Sequence, residues 1–488
     1  MPRPIFFLLL LLLSWTCQSS SSSEEQATSP PPNILWIVAD DLGADLGCYG
    51  TPVIQTPNLD QFAQEAIRFT NFHTVTAVCS PSRSALITGR YPTSINCHQH
   101  RTQYKQPLPE GVQPITEYFR EAGYFVSNGT YQNREKAGKT DYNFIHDSQE
   151  MYDGVDWSQR GEGQPFFAQV QVFIPHRPFL QDSLNPVDHT HIELPPYYPD
   201  HPIAKKDWAM YYETIQLMDR AVGGILKRLE EEGLADNTYV FFFGDQGRPH
   251  VRAKQFLYGP GTNSPFLLRY PHGQQAGTVS EQLISNIDLA PTAMNLANIQ
   301  VPQDLPGMDV LAPTPQREYL ITIRDRRDET VDRIRAVRNQ SFSYLRNFYP
   351  ERPWTQFNAY KKFRYPSLTL MEELYAQGEL NEVQARFMGP ARPAEELYDL
   401  KNDPFETHNL ATDPAFQVQL EEMRQVLDEW LGQYDQGQYP EDASEIEFAE
   451  QLMEDRFAKN MQQYGLTSEA TNAEILQYWE ETFFGTKP

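Results

Sequence analysis

"PPNILWIVADD", residues 31–41, is an apolar run that ends in two aspartates. A run without a polar face reads as a strand buried on both sides, as in a parallel sheet covered by helices. Asp40 and Asp41 then fall at its carboxyl end, just before Leu42-Gly43. "NTYVFFFGDQG", residues 237–247, repeats the arrangement and brings Asp245 and Gln246 to the end of a second apolar run. In an open α/β sheet, ligands bind at such strand ends.

Between the two runs the chain alternates. "TPNLDQFAQEAIRFTNF" (56–72) places Leu59, Phe62, Ala63, Ala66 and Ile67 on one helical face. "ITEYFREAGYFVSNG" (115–129) reads as helix then strand, and "PFFAQVQVFIPHRPF" (165–179) as strand then loop. A long helical pattern from Ala209 leads into the second apolar run. The alternation predicts an α/β fold: a large, mostly parallel or mixed sheet sandwiched by helices. Beyond about residue 312, "REYLITIRDRR", "IRAVRNQSFSYLRNF" and "AEELYDLKNDPFETHNL" read as shorter strands and turns of a smaller α+β unit. The expected organisation is a catalytic domain over 30–312, a C-terminal subdomain over 313–438 and an acidic helical tail over 439–488. The tail reads as an amphipathic helix docked on the body.

The chain has 488 residues, a net charge of −25 and 40% hydrophobic residues, enough for a sizeable core. This acidity argues against general nucleic-acid binding, although a small cationic pocket inside an acidic shell still suits an anionic substrate. Residues 1–22 read as a signal peptide, with Arg3 before the apolar run Ile5–Leu13. The run is too short to span a bilayer, so no transmembrane helix is expected after its removal. The expected location is secreted or periplasmic, with Cys17 as a candidate lipid anchor before the serine run. Of the four cysteines, Cys48 and Cys97 then remain as a candidate disulfide.

The two strand-end pairs are oxygen ligands for one hard cation, Ca2+ or alternatively Mg2+, or else residues that begin turns. Cys79 stands in "TAVCSPSRSALITGRYP" (76–92), ahead of Pro81 and one turn from Arg83. A helix mouth favours an anion, and Arg83 is placed to clamp it. The thiol itself reads as a buried structural group, a metal ligand, a nucleophile or a precursor. Three cationic candidates lie on loops: Lys139 in "AGKTDYNF", His176 in "IPHRPF" and Lys254 in "VRAKQFLYGPG". Together they supply what an oxyester anion needs, neutralised oxygens and a proton for the leaving alcohol.

These segments, with "GCYG" (47–50), "SPFLLRYP" (264–271) and "ELYDLKNDPFETHNL" (396–410), follow one another in a familiar order. The chain resembles the formylglycine-dependent type I sulfatases of the alkaline phosphatase superfamily over most of residues 33–410, and the C-x-P-x-R core at Cys79 is the specific signal. The resemblance implies an alkaline-phosphatase-like fold and a sulfuric ester hydrolase. It further implies that a formylglycine-generating maturase converts Cys79 to 3-oxoalanine. One hydroxyl of the hydrated aldehyde then attacks sulfur and the alcohol departs; the remaining hydroxyl expels sulfate as the aldehyde reforms. By motif match, Asp40, Asp41, Asp245, Gln246 and residue 79 resemble the metal ligands. Arg83 resembles the stabiliser of formylglycine. Lys139, His176 and Lys254 resemble the sulfate-binding and proton-donating set, with His176 as general acid. Two positions depart from the family pattern: Gln246 stands where Asn or His is commoner. Asp141 stands where a histidine helps release sulfate, which leaves that role open between Asp141 and another residue.

"PHVRAKQFLYGPGTNSPFLLRYP" (249–271) is similar to the heparan N-sulfatase (sulfamidase)-like branch, which implies a sulfated glycan substrate. "TIRDRRDETVDRIRAVR" (322–338) reads either as part of a sugar subsite or as an exposed salt-bridged segment. The alternatives to a sulfatase are a phosphomonoester or phosphonate hydrolase of the same superfamily and a non-catalytic glycan-binding lipoprotein.

Overall fold

The first apolar run forms strand β1 (Asn33–Ala39), with all seven residues buried. In the computed structural model, which describes residues 1, 30–313 and 317–485, β1 lies between two parallel partners. These are β5 (Phe166–Val172) and β6 (Thr238–Gly244). The remaining strands of this sheet are β2 (Ile67–His73), β3 (Phe125–Thr130), β4 (Asn133–Ala137), β7 (Phe266–Arg269) and β8 (Val279–Ser285). Their order is β4-β3-β5-β1-β6-β7-β2-β8. The core β3-β5-β1-β6 is parallel, whereas β7 runs against both neighbours and β4 against β3, so the sheet is mixed.

Alternation along β1 explains how both faces are covered. Leu35, Ile37 and Ala39 join the core under the 30-residue helix Pro202–Glu231, while Ile34, Trp36 and Val38 join the core on the opposite face. Trp36 stands edge-on to Phe167 and Phe243, with ring centroids 5.1 and 5.6 Å away. Because Ala39 pairs with both Val172 and Gly244, three strands end level. Asp40, the loop after Val172 and Asp245 therefore leave the sheet at one edge.

A second sheet is antiparallel, in the order β12-β11-β10-β9. Its strands are β9 (Leu320–Arg324), β10 (Ile334–Arg338), β11 (Phe342–Asn347) and β12 (Glu395–Asp399). Ile321, Val337, Tyr344 and Leu397 pack there with Leu420, Leu427 and Trp430 of the helix Gln417–Tyr434. The tail forms two helices, Ala443–Gln463 and Asn472–Phe484, which bury Met453, Phe457, Met461 and Ile475 against Ala359 and Phe363.

Three expectations change. Helix α1 (Pro57–Glu65) ends before Ala66, whose backbone is extended, and Ile67 begins β2. There β-branched Ile67 and the aromatic Phe69 gain ladder partners on β7, which outweighs extending the helical stripe. Cys48 and Cys97 are both free thiols. They pack against different cores, and the Cys97 thiol instead donates to the Ile95 carbonyl, 3.2 Å away. Segment 322–338 is not exposed: Arg324, Asp325, Arg326, Arg327, Asp332 and Arg335 are all buried. Their counter-charges come partly from within the segment, as Asp325 does for Arg335 at 3.1 Å, and partly from elsewhere in the fold, as Asp435 does for Arg335 at 2.8 Å.

The signal segment and Cys17 lie outside the described residues. Among the described residues no helix is long and apolar enough to cross a membrane.

Candidate active site

Helix α2 (Cys79–Thr88) starts directly at Cys79, and all ten of its residues are buried. It ends at Gly89, whose φ of 65° is left-handed, a conformation glycine adopts without a Cβ penalty. A side chain there would also press on Ala290. The first turn is pinned to the edge of the large sheet. Ser82 Oγ donates to the Asp245 carbonyl, and Asn286 Nδ2 donates to Ser82 Oγ at 3.0 Å. Cys79 is thereby held over the strand ends, with Sγ 3.8 Å from both Asp40 Oδ1 and Asp41 Oδ1.

Four groups of charge converge on that point. Asp245 accepts from the Asp41 N–H at 3.0 Å and from Arg83 Nε at 2.8 Å. Arg83 also reaches Gln171 Oε1 at 2.8 Å, and its Nη2 lies 3.6 Å from Asp40. Lys139 Nζ sits 2.7 Å from Asp40 Oδ2, and Lys254 Nζ sits 2.6 Å from Asp41 Oδ2 and 3.6 Å from Cys79 Sγ. His176 Nε2 lies 3.7 Å from Asp41 Oδ2, while its Nδ1 contacts the Arg177 carbonyl at 2.6 Å. Since a carbonyl only accepts, Nδ1 carries the proton and Nε2 faces the site. The structure thus assembles Asp40, Asp41, Cys79, Arg83, Lys139, His176, Asp245, Gln246 and Lys254 within one cluster.

Asp141 is placed differently. Its carboxylate is 3.8 Å from Lys139 Nζ but is gripped by Arg101, with Nε and Nη2 at 3.0 and 2.8 Å. Three neighbours were not singled out from sequence. Gln171 is a buried amide at the end of β5, and its signal was the polar alternation inside "FFAQVQVF". Arg101 and His100 lie in "HQHRTQ" (98–103), whose spacing matches no ligand pattern.

Burial and neighbouring charge shape the ionisation. Burial pushes the Cys79 thiol up to about 12, despite the opposing pull of Lys139 and Lys254, so the thiol is not a thiolate at neutral pH. Burial also raises Asp245, to about 7, with the Asp40 carboxylate adding to the effect. For Asp40 burial acts upward too, but Lys139 and Arg83 outweigh it and hold the carboxyl well below its usual range. His176 is lowered, chiefly by burial and then by Lys254, against the opposing field of Asp41.

The donor set fits a hard divalent cation. One ligand atom from each of Asp40, Cys79 and Asp245 lies within 4.8 Å of the others, and the same holds for Asp41, Cys79 and His176. Gln246 Oε1 is sealed from solvent with no partner, while its Nε2 crowds Asp41 Oδ1 and lies 3.2 Å from Cys79 Sγ. Turning that amide over presents an oxygen to the carboxylates' centre, the donor that Ca2+ takes.

Comparison with known proteins identifies the family. Residues 32–299 match the family model described as Sulfatase, and residues 249–393 match that described as N-sulphoglucosamine sulphohydrolase, C-terminal. An ulvan-active sulfatase of Formosa agariphila is 33% identical, covering 82% of this chain and 74% of the relative. Human N-sulphoglucosamine sulphohydrolase is 27% identical, covering 82% of this chain and 89% of the relative. Among solved structures, BT4656 in complex with its substrate D-glucosamine-2-N,6-O-disulfate aligns with a TM-score of 0.59 at 19% identity, covering 83% of this chain and 98% of that one. The phosphonate monoester hydrolase of Silicibacter pomeroyi aligns at 0.61 and 18%, covering 83% and 96%. At such identities the solved structures report the shared fold alone.

Proposed function

The chain belongs to the sulfatase family, and on that premise we propose that it is an exported hydrolase that removes sulfate from a sulfated glycan. The observation that carries this reading is the convergence of Lys139, Lys254 and His176 on Cys79, above carboxylates from two level strand ends. The names of the relatives support the substrate class, and the sulphoglucosamine sulphohydrolase match supports N-sulfate as one candidate linkage.

The residues take the following roles in this proposal. Asp40, Asp41, Asp245 and Gln246 hold a divalent cation, Ca2+ in our reading, which supplies Lewis acidity beside residue 79. Formylglycine made from Cys79 by a maturase supplies, as its hydrate, an oxygen nucleophile. Arg83 fixes residue 79 against Asp245 and Gln171, so the helix mouth does not relax when an anion enters. Lys139 and Lys254 reach the sulfate oxygens and neutralise the charge that develops on them. His176, held by Arg177 with Nε2 inward, protonates the leaving alcohol. Its resting form is neutral, and an incoming sulfate favours the imidazolium by adding negative charge nearby.

The mature protein is expected to hydrolyse an aryl sulfate faster than the matching aryl phosphate by at least about 10-fold in kcat/KM. A wide preference for phosphate would instead establish a phosphomonoester or phosphonate hydrolase, the chemistry named for one structural neighbour. A non-catalytic glycan-binding role predicts turnover of neither.

A further inference from the structure

Arg101 and Asp141 meet at the rim of this site from two loops, both with left-handed backbones, at φ of 55° and 53°. Such angles are uncommon for residues with side chains and persist where the surroundings enforce them. The fork between them occupies two of the five guanidinium N–H groups. The others have no protein partner among the described residues, and the Arg101 side chain is 45% exposed against 13% for Asp141. On its inner side, Asp141 lies 3.8 Å from Lys139, which in turn bonds Asp40 at 2.7 Å. The pair therefore stands one side chain outward from the groups that take the sulfate, where the ring bearing that sulfate would lie.

Behind this pair a buried network leads back toward His176. His100 Nδ1 contacts Asp328 at 3.1 Å, Asp328 pairs with Arg327 at 3.3 Å, and Arg327 lies 4.9 Å over the Tyr360 ring. Tyr360 in turn lies 6.0 Å from the His176 ring. The exposed Arg101 is paired with a carboxylate, Asp141, rather than standing as a lone cation. A carboxylate beside free guanidinium N–H groups instead suits hydroxyls, each of which donates and accepts.

We propose that the Arg101–Asp141 pair is the specificity element for the sugar that carries the sulfate. One ring hydroxyl next to the sulfate donates to Asp141, and a neighbouring hydroxyl accepts from a free Arg101 N–H. This rests on the sulfatase reading and gives position 141 a recognition role where a histidine was expected. The ionisation agrees: burial disfavours the charged carboxylate, but Arg101 and then Lys139 hold its pKa well below the usual range. Asp141 is thus a permanent acceptor and a weak base at neutral pH.

The test uses matured full-length protein, 4-nitrophenyl sulfate and a panel of methyl glycosides, each sulfated at one position. The preferred glycoside is compared with its analogue lacking the hydroxyl next to the sulfate. Deoxygenation should lower kcat/KM of the wild type by about 10- to 100-fold, as loss of hydrogen bonds to charged groups does. In Asp141→Asn, and in Arg101→Lys, the same deoxygenation should cost less than about 3-fold, because the contact is already gone. Both variants should also lose more on the intact glycoside than on the aryl sulfate. An undiminished deoxygenation penalty in both variants, with equal losses on both substrates, would overturn the proposal, since proton transfer or a purely structural role gives that result. If the wild type turns over no sulfate ester, the sulfatase reading falls and this inference with it.

Discussion

Cys79→Ala is expected to lower sulfate-ester turnover by a factor on the order of 10⁵ or more, the scale seen when an enzyme loses its nucleophile. Residue 79 is the point on which the two lysines, two strand ends and the helix mouth converge. The carboxylates beside it are engaged by cations, the lysine ammonium groups carry no free electron pair, and the His176 imidazole is assigned to the leaving alcohol. The same argument covers unmodified wild type, whose thiol at about 12 supplies almost no thiolate at neutral pH. Folding should hardly change, because deleting one buried sulfur leaves a small cavity worth about 1 kcal/mol. Steady-state kinetics with an aryl sulfate, a thermal melt and peptide mass spectrometry across Ser80 together check this. Variant turnover within tenfold of wild type, or an intact thiol at position 79 in fully active protein, would refute the assignment.

Asp245→Ala should lower turnover by at least about 10³-fold and also abolish stabilisation by Ca2+. Asp245 is both a candidate ligand and the carboxylate that orients Arg83 and the Asp41 N–H. Burial raises its pKa and the nearby Asp40 carboxylate adds to the rise, an unfavourable term that a bound cation would offset. Adding Ca2+ to chelator-treated wild type should therefore raise Tm, by mass action equivalent to about 2.7 kcal/mol at a hundredfold excess over Kd. The variant should show no such rise, and should start about 3 kcal/mol less stable because Arg83 keeps its charge and loses its closest partner. A full Ca2+ response in Asp245→Ala would remove this residue from the ligand set, and a response to Mg2+ alone would change the metal.

What could be read from the sequence divides along physical lines. Strand-end aspartates were legible because β1 and β6 are too apolar for anything but the centre of a sheet, while their level ends are set by registers that only the pairing shows. The start of α2 at Cys79 was visible through its signature, whereas its complete burial was not. The rim was not legible, because Arg101 meets Asp141 only where two irregular loops fold together. Burial of segment 322–338 was likewise hidden, since its partners Asp435 and Arg392 are distant in the chain and nothing local distinguishes a buried charge from a solvated one. The end of α1 was not legible either, because the Ile67 side chain serves a helical stripe or a strand equally until its pairing partners are known.

The tail gives this division a consequence for divergence. Glu445 accepts from the backbone N–H groups of Gln103 and Tyr104, at 2.7 and 3.0 Å, and Glu441 pairs with Arg326, whose backbone carbonyl holds the His100 N–H. The final stretch of chain thus moors the loop that delivers Arg101, while every proposed reacting group comes from the first 254 residues. Selection can therefore redraw the accepted sugar through the C-terminus without disturbing the chemistry. Glu445→Ala is accordingly expected to reduce the preference for glycoside over aryl sulfate by about 3- to 10-fold, the weight of the lost hydrogen bonds. An unaltered preference would show that the loop holds its shape without that mooring.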